Sequence, residues 1–242
     1  MSKSAGPAAG PAASPAACAE DAGPVDVTII GAGGFGRECL DVVEAVEAAH
    51  PGSYRVLGVV DCSPSDTARR RLADRDVPWL VSLDDWLADR PTSWFVVAIG
   101  SPEVRARVAA RLEAAGLEPA TIVHPAATIG TRSAIGPGSV VCAGAQVSTG
   151  VTLGRHVHVN PNATIGHDTV LADHVSVNPW AVVSGDATVE PRTLVGAGAV
   201  VLQGLTVGHG SVIGAAACVT RDVEPGTTCV GVPARPLRRA AR

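Results

Sequence analysis

The sequence predicts two folds in series: a parallel α/β domain, then a parallel β-helix built from short strands. Three observations predict it. Strand-type and helix-type segments alternate from Val25 to residue 120. An aliphatic residue then recurs at every sixth position from Val123 to Val219. Aromatic residues are only 3% of the 242, with Phe 2 and Tyr 1, so the core must be built from small, repeated aliphatic side chains.

Residues 1–24 are rich in Ala, Pro and Gly and are expected to be a disordered tail. Prolines interrupt any hydrophobic stretch in it, so it does not read as a signal peptide. Residues 25–120 form the first domain. Val25–Ile30 is an apolar strand that runs into Gly31-Ala-Gly33-Gly34-Phe-Gly36, after which a helical pattern covers Arg37 to Ala49. A second strand covers Arg55–Val60 and ends at Asp61, and a short third element surrounds Trp79–Val81. A fourth strand covers Trp94–Ile99; Gly100-Ser101 and a helix through Leu112 come after it. About four strands fall short of the six of a full dinucleotide-binding sheet, so this domain is a half-Rossmann-like unit.

Residues 121–224 form the β-helix. All 17 positions of the six-residue period are aliphatic, and the residue four places on is mostly small, as at Ala127, Ser139, Ala163 and Ala181. Each hexapeptide makes one short strand and one corner, with the aliphatic residue pointing inward. Three hexapeptides close an 18-residue coil, so the prism has nearly six coils and a height of roughly 27 Å at the spacing of paired strands. Residues 18 apart stack on one edge: His156 with His174, Asn160 with Asn178, and His158 over Ser176. The period does not set the hand of the coil. Residues 225–242 are a C-terminal extension.

The 19 basic and 23 acidic residues leave a net charge of −4, which argues against a nucleic-acid or anionic-membrane surface. No apolar run approaches the ~18 residues of a membrane span. The six cysteines show no C-x-x-C spacing, so neither a zinc knuckle nor a redox motif is suggested, and with no signal peptide read in the tail, reduced thiols in the cytoplasm are expected. His156, His158, His167 and His174 are separated by 2, 9 and 7 residues, a spacing that suggests no metal site.

Four strings carry a family resemblance over residues 25–240: Ile-Ile-Gly31-Ala-Gly-Gly-Phe-Gly36-Arg37, Val-Val-Asp61, Asn160-Pro-Asn-Ala-Thr-Ile-Gly-His167-Asp168, and Val230-Gly231-Val-Pro233-Ala-Arg235. They resemble those of the hexapeptide-repeat sugar O-/N-acyltransferases, of the sialic-acid O-acetyltransferase and UDP-4-amino-sugar N-acetyltransferase type. The resemblance implies a left-handed β-helix and a homotrimer. It also implies transfer of an acyl group from acyl-CoA, acetyl-CoA above all, to an amine or hydroxyl of a sugar nucleotide, with no metal. His167 matches the family's general base, a role that suits histidine as a residue type. Asp168 matches the acid beside it, which orients the imidazole, and Asn160 matches a polar residue near the reacting centre. The same match gives Gly185 as the thioester contact, and Ala197 and Ala215 as the lining of the pantetheine track. Gly33, Gly34, Asp61 and Ser101 become sugar-nucleotide contacts. Arg235, Arg238 and Arg239 either meet CoA phosphates or form a basic tail. The chain departs from the family at Ser176, where a second histidine is frequent; His174 is the nearby substitute. No cysteine or serine has a paired base in the sequence, so attack on the thioester is expected to be direct. Two other readings stand beside this one. The first is a non-catalytic trimeric hexapeptide-repeat protein that binds a sugar nucleotide or serves as a scaffold. The second is an NAD(P)-binding enzyme, with Asp61 on the cofactor ribose.

Overall fold

A computed structural model describes residues 23–89 and 91–237. Residues 1–22 of the expected tail, with Cys18, and Arg238 and Arg239 lie outside the described residues. The first part runs β1 (Val25–Ile30), α1 (Gly34–Ala49), β2 (Tyr54–Val60), α2 (Asp66–Ala73), α3 (Leu83–Ala88), β3 (Trp94–Val97) and α4 (Pro102–Ala114). The three strands are parallel in the order β2-β1-β3. The expected third strand is absent. Trp79 forms one isolated bridge to Val59, because Pro78 brings no N–H to a ladder and Ser82 already caps α3. The alternation of β1 feeds two cores. Val27 and Ile29 pack with Leu40 and Val43 of α1, while Ile30 packs with Val97, Trp86 and Leu112 on the α3/α4 side. The α1 core continues into Ile122, Val140 and Cys142, so α1 is sandwiched between the sheet and one face of the β-helix.

The β-helix is a triangular prism. Two-residue strands recur every six residues from β4 (Ile122–Val123) to β20 (Cys218–Val219). They stack in parallel at a register of 18, as in His158 on Ser176, Thr164 on Val182 and Val170 on Thr188. The first face starts at Ile122 and carries His158 and Ser176; the second carries Thr164 and Val182; the third carries Val170 and Thr188. Val159, Ile165, Leu171 and Val177 fill the axis at 0% exposure. The first coil departs from the inward rule. Ile129 is exposed, and Val123 and Ile135 are only half-buried, because no coil stacks above them. Burial of the repeated aliphatic column, rather than aromatic packing, holds the prism together. β21 (Thr228–Val230) and β22 (Arg235–Pro236) pair antiparallel and extend the first face.

Candidate active site

The three edges of the prism carry different chemistry. On the edge between the second and third faces, His167 and Asp168 come directly after strand Thr164–Ile165 and Gly166. Both are exposed. His167 Nδ1 lies 3.0 Å from Asp168 Oδ2. A carboxylate only accepts, so Nδ1 carries the proton there and Nε2 keeps its lone pair. One coil down, Asp186 Oδ2 lies 3.9 Å from the same Nδ1, and the Asp186 N–H donates to the His167 carbonyl at 2.8 Å. Gly185 lies under the ring: a Cβ there would sit 2.5 Å from His167 Nε2. Sequence reasoning missed Asp186, although the 18-residue stacking of Asp168 on Asp186 would have pointed to it. His167, Asp168 and Asp186 bring three potential ligand atoms within 4.8 Å of one another, all exposed.

The edge between the first and second faces carries Asn160, Asn178, Ala197 and Ala215. Asn160 is 7% exposed, and its Nδ2 donates to the Val177 carbonyl at 3.0 Å and to Asn178 Oδ1 at 3.4 Å. The expected ladder is therefore present. Within one chain, however, Asn160 and His167 stand on successive edges, one strand apart. Ala197 and Ala215 are exposed and stack one above the other, with the Ala216 N–H donating to the Ala197 carbonyl. A second residue the sequence reading missed also stands here. Trp180 is 69% exposed with φ of 60°, a left-handed backbone unusual for a bulky residue.

The third edge, between the third and first faces, is covered by α4. His156 and His174 stack at 5.3 Å and 3°, and His156 Nε2 meets Glu113 Oε1 at 2.8 Å. His158, on the first face, is buried under Phe35 of α1, ring centroids 4.6 Å apart. Burial holds all three imidazoles below their ordinary pKa, His174 at about 4. His174 does not stand near His167, so it is no substitute base on that edge. Ser176 is buried and bonded to Arg105 and to the Gly100 carbonyl.

The remaining candidates gather at the carboxyl ends of β1, β2 and β3, where parallel sheets open a crevice. Gly33, Gly34 and Ser101 are exposed. A Cβ on Gly33 or Gly34 would meet nothing within 4 Å, whereas one on Gly36 would sit 2.0 Å from the Gly31 carbonyl oxygen. Gly36 is therefore glycine so that α1 can approach the strand, while nothing in the described chain requires glycine at 33 or 34. Asp61 ties the loops together: its Oδ2 accepts from the Ala32 N–H at 2.8 Å and its Oδ1 from the Ser63 N–H at 2.9 Å. Ser101 caps α4. The five described cysteines are free; Cys39 is buried and its thiol is pushed well up by burial, which suits a packing role rather than a nucleophile.

Comparison with known proteins agrees with this layout. Residues 26–112 match the PglD N-terminal domain. Over 141 residues the chain is 32% identical to GDP-perosamine N-acetyltransferase of Escherichia coli O157:H7, covering 58% of this chain and 61% of that protein's length. The chain thus spans about three fifths of this curated relative. The acetyltransferase domain of PglB from Neisseria gonorrhoeae, solved with acetyl coenzyme A, superposes with TM-score 0.76 at 29% identity, over 89% of this chain and 100% of that one. PerB from Caulobacter crescentus, solved with CoA and GDP-perosamine, gives TM-score 0.77 at 26% identity, over 88% of this chain and 97% of that one. The fold is therefore a half-Rossmann-like domain joined to a left-handed β-helix. Residues 26–112 are thus similar to a PglD N-terminal domain, and the chain is similar in fold to hexapeptide-repeat sugar acetyltransferases. Among the described residues no helix is long and apolar enough to cross a membrane.

Proposed function

We propose that this protein is an acetyl-CoA-dependent N-acetyltransferase acting on an amino sugar linked to a nucleotide. The observation that carries the reading is the His167–Asp168–Gly185 arrangement, with Nδ1 beside a carboxylate and Nε2 beside the Gly185 backbone. Residues 25–120 hold the acceptor and residues 121–224 transfer the acyl group. Acetyl-CoA runs along the prism past Ala197 and Ala215. The acceptor nitrogen attacks the thioester carbonyl carbon while Nε2 takes its proton. A backbone N–H at Gly185 answers the developing oxyanion. As the C–S bond breaks, the imidazolium returns the proton to the CoA sulfur, so the products are the N-acetyl sugar nucleotide and free CoA. Asp168 and Asp186 favour the transient imidazolium through Nδ1. The relatives that carry CoA, acetyl coenzyme A and GDP-perosamine support this choice of substrates.

The α/β domain docks on the first face, whereas His167 stands on the edge opposite that face. We infer from this that the two halves of the site come together between copies, in a homotrimer with shared sites. The test is mass spectrometry of products from GDP-, UDP-, dTDP- and CMP-linked amino sugars with acetyl-CoA. A mass gain of one acetyl group on one acceptor is expected; no gain on any of them overturns the reading.

A further inference from the structure

Arg105 is 0% exposed, the largest fully buried side chain among the described residues. Its guanidinium has five N–H groups, and five contacts use them. Nε donates to the His156 carbonyl at 3.0 Å; Nη1 donates to the carbonyls of Ile99 at 2.8 Å and Gly100 at 3.4 Å. Nη2 donates to the His174 carbonyl at 2.6 Å and to Ser176 Oγ at 2.9 Å. Ser176 in turn donates to the Gly100 carbonyl at 3.3 Å. Every acceptor is neutral. The nearby acid of the same helix, Glu113, is taken by His156 Nε2 and Arg155 Nη2. Burial brings Arg105 down to about 9, so it stays charged at neutral pH. A buried cation without an anion is costly, and an apolar side chain would hold the two parts together at less cost. Its bonds join two places: the Ile99–Gly100 turn at the carboxyl end of β3, beside the exposed Ser101, and the prism edge under α4.

We propose that Arg105 is a positioning residue for the anionic acceptor. It fixes the Gly100–Ser101 turn on the prism, and its unneutralised charge makes that turn favourable for the phosphates of a nucleoside-diphosphate sugar. The acceptor class rests on the acyltransferase reading above, but nucleotide binding alone also reads the effect. Three variants test it: Arg105→Met removes the charge and the fork, Arg105→Lys keeps the charge, and Ser176→Ala leaves the cation but removes one link to each side. For whichever sugar nucleotide the parent acetylates, Arg105→Met should raise the acceptor KM about tenfold or more and leave the acetyl-CoA KM within about twofold. Arg105→Lys should recover part of that loss, and Ser176→Ala should show a smaller rise. Calorimetric titration with GDP and UDP should rank the parent and variants in the same order. A purely structural bolt predicts the opposite pattern: a lower Tm with acceptor KM and nucleotide Kd unmoved, and that result overturns the proposal. If Arg105→Met does not fold, unchanged acceptor KM and nucleotide Kd in both Arg105→Lys and Ser176→Ala overturn it equally. A parent that binds GDP or UDP but acetylates nothing sinks the acyltransferase reading alone, and the nucleotide titration then decides Arg105. A parent that binds no nucleotide overturns both.

Discussion

In the proposed reading His167 carries the chemistry, because its two nitrogens have different neighbours. Nδ1 faces Asp168 and Asp186, while Nε2 lies against Gly185. His167→Ala should lower kcat by about 10²–10⁴ with little change in acetyl-CoA affinity. Asp168→Asn should cost less, since the imidazole remains and Asp186 still faces Nδ1. Steady-state kinetics separate the two, and an alanine variant with half the parent's kcat would move the base elsewhere. At the other end of the site, Gly33 has open space where a Cβ would go. Gly33→Val should therefore fold normally yet raise the acceptor KM, leaving that for acetyl-CoA unmoved, because the new side chain would fill the space that the proposed reading gives to the acceptor. Equal acceptor binding by calorimetry would take the nucleotide away from this loop.

At the scale of elements, the edge under α4 should respond to acid. His156, His158 and His174 are held neutral by burial, with Arg105 and Arg155 adding to the effect and Glu113 and Asp173 opposing it. The unfolded chain takes up protons near an ordinary histidine pKa of about 6.5, while the folded edge resists until lower pH, about 4 at His174. Stability should therefore be full above about pH 6.5 and fall as pH drops toward 4. Tm measured across that range should decline, and His174→Gln should flatten the decline; a Tm that rises on acidification would contradict the assignment. The prism was legible because each of its strands repeats one instruction, an inward aliphatic residue every six positions. The α/β part was less so. α2 buries only Leu72, too little to show a helical period, and the strand expected at Trp79 lost its ladder to Pro78 and the cap of α3. Of the candidate site, His167 and Asp168 stood out in the sequence as a string. Asp186 and Arg105 did not, since each meets its partners only after the coils stack and α4 docks.

Over the whole molecule, the separation of the two halves of the site is the main constraint. If the α/β domain on the first face takes the acceptor and His167 on the opposite edge is the base, a monomer is incomplete. Light scattering should give about three times the 24.4 kDa chain, and a monomer at assay concentration would remove the shared site. Subunit mixing makes a sharper test. His167→Ala and Gly33→Val chains, each impaired alone at low acceptor concentration, should regain activity when unfolded and refolded together, because a mixed trimer pairs an intact base with an intact acceptor loop. No recovery would place both halves of the site in one chain.

The near absence of aromatic residues from the prism has a further, optical consequence. Phe35, Tyr54, Trp79, Trp86, Trp94 and Phe95 all belong to the α/β part, and Trp180 stands alone on the prism surface. The aliphatic column is therefore silent in the near ultraviolet. In a Trp180→Phe protein, tryptophan emission would report the α/β domain only, while far-ultraviolet dichroism would be dominated by the coils. Two melting curves from one sample would then show whether the halves unfold together or in turn.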